Sequence, residues 1–450
     1  MDPCGANEGL KADEDPVRVV PDELPRARRP WWLPHFLGRM PRGLEDRHVA
    51  VVGIVSLAFL FENYDLSMLS AALKQIRESY GQSPAEMTSL LAWIRLGAIP
   101  AFLLLPLADR VGRRRVFLVA IAGMSIGTFV SGLAQTPLQF VVAQTLTRGF
   151  LVAATATAVV LVAEALPAAH RGWGIGILGA IGTVGFGLSA LLYAFVDRLP
   201  FGWRFLYLVG IVPILLFGRF RSGVAETEHF RTRQAVRAAE SAWSRITGPM
   251  RELVRDHPMR SLAVAAMAAS VSAATAPAFN LMSDYVQSNR GWEPSSYSLM
   301  AIVAGGLGTI GNPAMGFAAD RLGRRPVAMV AFGGFPFVAW AMYFGPGEWV
   351  PFVWVPFIFL LTGGNVLMRV VTSELFPTSS RNTAMGWETL HETLGAAVGF
   401  TAVGILVDET GDVALAAVAV STVALFGAVI VWLLPETAGR ELEASVHGDG

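Results

Sequence analysis

The chain has 450 residues, of which 53% are hydrophobic and only 16% are charged. Soluble domains carry about 25% charged residues, so much of this surface needs an apolar solvent. The 35 basic and 35 acidic side chains balance, and this net charge of zero suggests no nucleic-acid partner. The single cysteine, Cys4, excludes an intrachain disulfide and argues against a structural zinc site.

Residues 1–47 are polar and have no apolar stretch near the start, which a cleavable signal peptide would need. We interpret them as a tail on the cytoplasmic side. Twelve apolar stretches follow, each near the 20 residues of helix that cross about 30 Å of hydrocarbon. They are roughly 49–74, 86–108, 115–134, 138–164, 171–195, 203–220, 260–285, 296–319, 326–344, 350–374, 383–407 and 412–433. The sequence therefore predicts an all-α membrane protein with twelve transmembrane helices.

Arginines are concentrated in the breaks after the even-numbered spans, whereas the opposite breaks carry few cations. Loops rich in lysine and arginine stay in the cytoplasm. This pattern predicts a multi-pass protein of the cell membrane with both termini cytoplasmic.

Three landmarks recur at an offset of 210 or 211 residues, which indicates an internal repeat. They are 109–114 with 320–325, Glu164-Pro167-Arg171 with Glu374-Pro377-Arg381, and Glu226-Thr227 with Glu436-Thr437. The predicted organisation is a tail (1–47), a six-helix half (48–220), a cytoplasmic linker (221–259), a second half (260–434) and a C-terminal tail (435–450). Parallel repeats of this kind place a substrate site between the halves, near the midplane.

These motifs resemble the major facilitator superfamily over nearly all of residues 48–443. The family signature Gly-x-x-x-Asp-Arg-x-Gly-Arg-Arg is matched fully by 316–325, whereas Leu105 replaces the glycine in the first half. The resemblance implies alternating access, a monomer, no prosthetic group and a cytoplasmic charge network that breaks and re-forms. The gating residues that it implies are Asp109, Arg110, Arg113, Glu164, Arg171, Asp320, Arg321, Arg324, Glu374 and Arg381.

Several ionisable residues lie inside the predicted spans, where each costs about 2.5–3.5 kcal/mol on insertion scales and faces a partner or a pore. Glu62 and Asp65 are one helical turn apart in span 1, and Arg95 and Arg148 lie in spans 2 and 4. Two close carboxylates in a low dielectric cannot easily both be ionised, which suits a proton carrier. We predict that Asp65 carries the proton with Glu62 as its partner.

Arg95 and Arg148 cannot lose their charge, so each needs an anion. We predict that they attract an anionic substrate, with Arg148 in the leading role. A static set of buried ion pairs that only holds the helices together is the alternative.

Span 11 carries Glu388, His391 and Glu392 on one face. Histidine titrates near physiological pH, so His391 and Glu392 are predicted to relay protons, and Glu388 is predicted to contact substrate. The Glu-x-x-His spacing also suits a metal, but no further ligand is evident, so none is predicted. A histidine hydrogen-bonded to a neighbouring glutamate is the alternative.

Three aromatic residues lie near these charges. Tyr64, Trp93 and Trp387 are predicted to stack on an aromatic substrate, with ordinary helix packing as the alternative.

Residues 62–65 (Glu-Asn-Tyr-Asp) resemble the Asp-Gly-x-Asp motif on helix 1 of the aromatic-acid/proton symporters. The final aspartate matches, and glutamate and asparagine replace the first two residues. Arg148 stands where that family has its helix 4 arginine. The resemblance favours proton-coupled symport of an organic or aromatic acid.

Other functions remain open at this point. A sugar or polyol porter usually has glutamines on helix 7, and residues 268–275 have none. A drug or natural-product exporter usually has a Gly-Pro motif on helix 5, and 171–195 has no proline. No catalytic motif is visible, so the chain is not predicted to be an enzyme.

Overall fold

The computed structural model describes residues 28–30, 32–33, 40–101, 112–167, 170–223, 242–377 and 380–437. These ranges contain helices and no strand. Ten of the helices are long and apolar enough to cross a membrane. With two shorter helices included, they are α1 (Asp46–Ala71), α2 (Pro84–Leu96), α3 (Arg113–Leu133), α4 (Pro137–Ala165), α5 (Arg171–Tyr193), α6 (Trp203–Leu215), α7 (Pro258–Asn280), α8 (Pro294–Leu322), α9 (Arg324–Phe344), α10 (Gly347–Leu375), α11 (Arg381–Thr410) and α12 (Val413–Leu433).

The short lengths of α6 and α2 have local explanations. Helix α6 contains a 3-10 turn at Val209–Ile211 and then Pro213, which has no backbone N–H to donate. Helix α2 passes into turns at 97–100, and the rest of its predicted span is outside the described residues.

The predicted all-α fold is confirmed. Asp109, Arg110 and Leu105 also lie outside the described residues, as do 1–27, 224–241 and 438–450.

Local sequence sets the start of α2. Gly81 has a φ of +62°, a conformation that glycine adopts without strain. The Ser83 hydroxyl then accepts from the Glu86 N–H at 3.2 Å, and the Glu86 carboxylate accepts from the Ser83 N–H at 2.8 Å. This capping box, with Pro84 at the first helical position, satisfies backbone donors that would otherwise have no partner.

The internal repeat reappears in the packing. In the first half (α1–α6), α1 packs on α5 and α3 on α4; in the second half (α7–α12), α7 packs on α11 and α9 on α10. Gly185 and Gly395 stand at equivalent positions, 210 residues apart. A Cβ on Gly185 would overlap the Leu60 carbonyl oxygen of α1, and one on Gly395 would overlap the Ala269 carbonyl oxygen of α7. Each half therefore uses the same close helix crossing, which small residues permit.

The halves meet mainly through α2 against α11 and α5 against α8. A Cβ on Gly404 of α11 would lie 3.1 Å from the Ser89 hydroxyl of α2. The Tyr193 and Tyr297 rings meet edge to face with centroids 6.1 Å apart. These contacts lie near the start of α2 and the end of α5, which we call the distal end. The opposite end, where α3 and α9 begin with Arg113 and Arg324, is the arginine-rich end.

Candidate functional site

Two arginines are brought together in the middle of the first half. Arg95 and Arg148 each lie 11 residues beyond the distal start of their helices, at Pro84 and Pro137, which is about 16 Å of helix. The backbone just after Arg95 packs closely on α4 just before Arg148, because a Cβ on Gly97 would lie only 2.8 Å from the Thr145 Cα. Neither arginine has a hydrogen bond or an ion pair within the described part of the chain. Arg148 repels Arg95 electrostatically.

Glu62 and Asp65 stand next to this arginine pair and are 3% and 5% exposed. Thr128 on α3 donates to the Asp65 carboxylate at 2.7 Å, and Thr155 on α4 donates to the Glu62 carboxylate. Arg148 attracts both carboxylates. Among the described residues neither acid makes an ion pair within 4 Å. Each carboxylate is instead hydrogen-bonded by a threonine hydroxyl and attracted by Arg148 from a longer distance. The structure thus brings Glu62, Asp65 and Arg148 close together.

The predicted aromatic contacts are placed differently. The Tyr64 hydroxyl donates to the Leu206 carbonyl at 2.8 Å, and the residue is 1% exposed. Trp93 is 63% exposed and, being two residues before Arg95, lies on the opposite face of α2. The Trp387 indole donates to the Ser261 carbonyl at 2.9 Å. Tyr64 is thus packed between helices and Trp93 is on an exposed face, so neither residue forms a stacking platform beside the arginines.

A second charged cluster lies in the second half. Glu388 is 1% exposed, and Glu392 and Arg369 act on it electrostatically, with opposite signs. The predicted bond from His391 to a neighbouring glutamate is not seen. Its Nδ1 lies 2.8 Å from the Trp387 carbonyl, and its ring lies 4.3 Å from the Trp387 ring. Because a carbonyl oxygen only accepts, a hydrogen bond at this contact requires a proton on Nδ1.

Equivalent ion pairs mark the arginine-rich end of each half. Arg113 pairs with Glu164 in the first half, and Arg324 pairs with Glu374 at 3.0 Å in the second. Arg324 also contacts Asp320 at 2.5 Å. Each of these ion pairs stays within one half.

Three other predicted gating arginines are placed outside these pairs. The Arg321 guanidinium lies 4.0 Å from the Phe317 ring centroid. Arg381 donates to the Ser373 carbonyl at 2.9 Å. Arg171 is exposed at the start of α5.

The C-terminal segment joins the second-half network. Glu436 accepts from the backbone N–H groups of Arg324 at 2.8 Å and Arg325 at 3.1 Å, at the N-terminus of α9. The Thr437 hydroxyl donates to Glu374 at 2.5 Å. The repeated Glu-Thr pair was visible in the sequence, but its role as a cap was not predicted.

One polar cluster between the two halves was not predicted at all. At the distal end, helix Leu73–Ser79 of the first half faces helix Met282–Asn289 of the second. Arg77 donates to Asp284 at 2.8 and 3.1 Å, and Gln75 donates to Gln287 at 2.9 Å. No spacing or periodicity links positions 207 residues apart, so only a charged residue just beyond span 1 and another at the end of span 7 could have suggested it.

The chain is similar to known transport proteins over most of its length. The profile of the family described as Sugar (and other) transporter matches residues 51–446. The cis,cis-muconate transport protein of Acinetobacter baylyi is 29% identical over 363 residues, which are 78% of this chain and 85% of that protein. The "Probable 4-methylmuconolactone transporter" of Cupriavidus pinatubonensis is 27% identical over 408 residues, 85% and 89% of the two chains.

Among solved structures, the inward-open xylose transporter XylE of E. coli superposes with a TM-score of 0.68. The match covers 88% of this chain and 98% of that one, at 17% identity. A likeness at that identity shows the fold alone.

Proposed function

The chain belongs to the Sugar (and other) transporter family, within the major facilitator superfamily, and from that premise we propose that it is a proton-coupled symporter of a small organic acid. It is a membrane transporter and not an enzyme. The observation that carries the proposal is the pair formed by Arg95 and Arg148. Both are permanently charged, they repel each other, and neither has an ion-pair partner in the described chain.

A buried charge without a partner costs several kcal/mol, and a like-charged neighbour adds to that cost. A carboxylate placed between the two guanidinium groups would remove both penalties, and guanidinium matches carboxylate geometry with two parallel hydrogen bonds. A neutral sugar would leave both charges unpaired. The relative named for transport of cis,cis-muconate, a name that denotes a carboxylate, supports the same substrate class.

For proton coupling we propose Asp65 as the carrier and Glu62 as its partner. Arg148 is near both acids, so an incoming anion competes with them for the same cation. When the anion takes Arg148, Asp65 loses part of its attraction to positive charge and binds a proton more readily. Proton and anion would therefore load together. His391 and Glu392 are proposed to relay protons, and Glu388 and Trp387 to line the substrate path.

For alternating access we propose that the arginine-rich end faces the cytoplasm, as the distribution of loop arginines favours. The distal end is then the outer end. The Arg77–Asp284 pair holds the outer ends together in this conformation, while the inner ion pairs remain within their own halves. We further propose that residues 48–220 and 260–434 move as two bodies in a monomer of the cell membrane.

Purified protein in liposomes loaded with a pH-sensitive dye tests this function. Benzoate-like acids, muconate-like diacids and sugars would be added from outside, and protein-free liposomes would give the passive permeation. We expect acids to acidify the interior and sugars to have no effect. Arg148→Gln should abolish the signal, whereas Arg198→Gln, an exposed arginine at the distal end, should preserve it. A signal with sugars alone would contradict the proposal and favour a sugar porter.

A further inference from the structure

Arg95 reaches from the first half to an aromatic ring of the second. Its guanidinium carbon lies 5.6 Å from the centroid of the Phe400 ring, within the range of a cation–π interaction. Phe400 is on α11 and is fully buried. Among the described residues this ring is the stabilising contact that Arg95 has, since the charged group that acts on Arg95 is Arg148, which repels it.

The Phe400 ring is held in a fixed position. Gly395 and Gly399 let α11 pack directly on the backbone of α7. A Cβ on Gly395 would overlap the Ala269 backbone, and one on Gly399 would overlap the Ala273 backbone. A helix that is locked this closely to its neighbour cannot rotate the ring away without separating from it. Phe400 is therefore a rigid platform, not an adaptable one.

A guanidinium group that lies on the face of a ring still has its N–H donors free in its own plane. Stacking and carboxylate binding can therefore occur at the same time. We infer that Phe400 is the positioning residue that directs the N–H edge of Arg95 toward the substrate carboxylate. The inference deepens the proposed function and rests on it.

This arrangement has a mechanical consequence. The arginine pair belongs to the first half, so an anion bound there would by itself leave the second half unaffected. Through Phe400 the second half takes part in the anion site. Movement of α11 relative to α2 then alters the orientation of Arg95 and with it the affinity for the anion.

The first experiment needs no substrate. Unfolding midpoints of wild type, Arg95→Gln, Phe400→Leu and the double variant form a double-mutant cycle. Because the cation–π contact exists only when both residues are present, we expect the effects of the two single substitutions on the midpoint, whatever their sign, to be non-additive. Additive effects would overturn the inference whatever the protein transports.

The second experiment measures transport kinetics. Phe400→Leu keeps an apolar side chain and removes the ring, and we expect the KM for the organic acid to rise about tenfold with Vmax within about twofold. Phe400→Trp should restore the KM. Phe357→Leu is the matched control, because Phe357 is also fully buried in the second half but its ring contacts are Phe335 and Trp354.

The outcomes separate the two proposals. A non-additive cycle with an unchanged KM in Phe400→Leu would show that the contact is structural and would overturn the positioning role. An equal KM rise in Phe357→Leu would overturn it as well. A wild type that transports no acid would refute the proposed function, and the anion role of Phe400 with it, even with a non-additive cycle.

Discussion

Arg77 and Asp284 form a two-point ion pair, with N–O distances of 2.8 and 3.1 Å, that ties the first half to the second at the distal end. Both side chains are largely buried, at 14% and 10% exposure. A second connection runs beside it, because the Tyr193 hydroxyl donates to Gln75 at 2.8 Å and accepts from Gln287 at 2.7 Å. At the arginine-rich end the described ion pairs stay within one half. The structure is therefore closed at the distal end by contacts that must break before that end can open.

Arg77→Gln should favour opening of the distal end. Removing one partner of a largely buried ion pair costs about 3–5 kcal/mol, and only the closed state bears that cost. Ser283→Cys in a Cys4→Ser background places a thiol at this interface, where Ser283 is fully buried. We expect a membrane-impermeant thiol reagent added outside to label it at least about tenfold faster when Arg77→Gln is present, since tenfold needs only about 1.4 kcal/mol.

Arg290→Gln is the matched control for this measurement. Arg290 is also at the distal end, but it donates to the Tyr343 and Gly345 carbonyls of its own half. Its replacement should leave labelling unchanged. Exchanging the two charges, with Arg77→Asp and Asp284→Arg together, should restore slow labelling. Fast labelling in the exchanged variant would show that the ion pair does not hold this end closed.

Asp65→Asn should separate transport from the proton gradient. Asparagine keeps the acceptor for the Thr128 hydroxyl but cannot take up and release a proton. We expect accumulation driven by a pH gradient to fall to the level of equilibration, while exchange of labelled for unlabelled acid continues. Asp408→Asn, an exposed acid near the distal end of α11, should retain full accumulation. Undiminished accumulation in Asp65→Asn would exclude Asp65 as the proton carrier.

The sequence predicted those parts of this protein that depend on local chemistry. Hydropathy located the ten long membrane helices of the described chain, and the repeat identified Arg113, Glu164, Arg324 and Glu374 as equivalent residues, although not their pairing. The cost of buried charge drew attention to Arg95 and Arg148. Each of these signals is visible within about 30 residues or at one fixed offset.

Contacts set by tertiary packing could not be predicted in the same way. The spacing of Glu62 and Asp65 showed that they share a face, but not that each would take a threonine from a different helix. The contact of Tyr64 could not be predicted either, because only the position of α6 shows that the Tyr64 hydroxyl reaches the Leu206 carbonyl. Phe400 carried no signal at all, since a phenylalanine in an apolar helix is indistinguishable from one that faces lipid.

Gly185 and Gly187 of α5 should respond very differently to the same substitution. A Cβ on Gly185 would overlap the Leu60 carbonyl, whereas one on Gly187 would meet nothing within 4 Å. Gly185→Leu should therefore force α1 and α5 apart, lower the unfolding midpoint strongly and reduce the yield of monodisperse protein. Gly187→Leu should change the midpoint little. Similar losses in both variants would mean that the close crossing of α1 and α5 does not limit stability.

Glu436 should protect the first turn of α9. It accepts from the Arg324 and Arg325 backbone N–H groups, which have no partner within the helix, and its negative charge lies at the positive end of the helix dipole. Charge-assisted hydrogen bonds of this kind contribute about 1.5–3 kcal/mol each. Glu436→Ala should therefore raise the hydrogen-exchange rate of these two amides by at least about tenfold.

Glu436→Ala should also slow transport, an effect that fraying of the first turn of α9 would not produce by itself. Glu436 fixes the start of α9, from which Arg324 reaches Glu374 at 3.0 Å. When that start loosens, the ion pair loses its fixed geometry, so we expect Vmax to fall several-fold with the KM unchanged. Glu409→Ala, an exposed acid at the distal end, should alter neither exchange nor Vmax. Faster exchange in Glu436→Ala with an unchanged Vmax would mean that Glu436 caps a helix but has no part in gating.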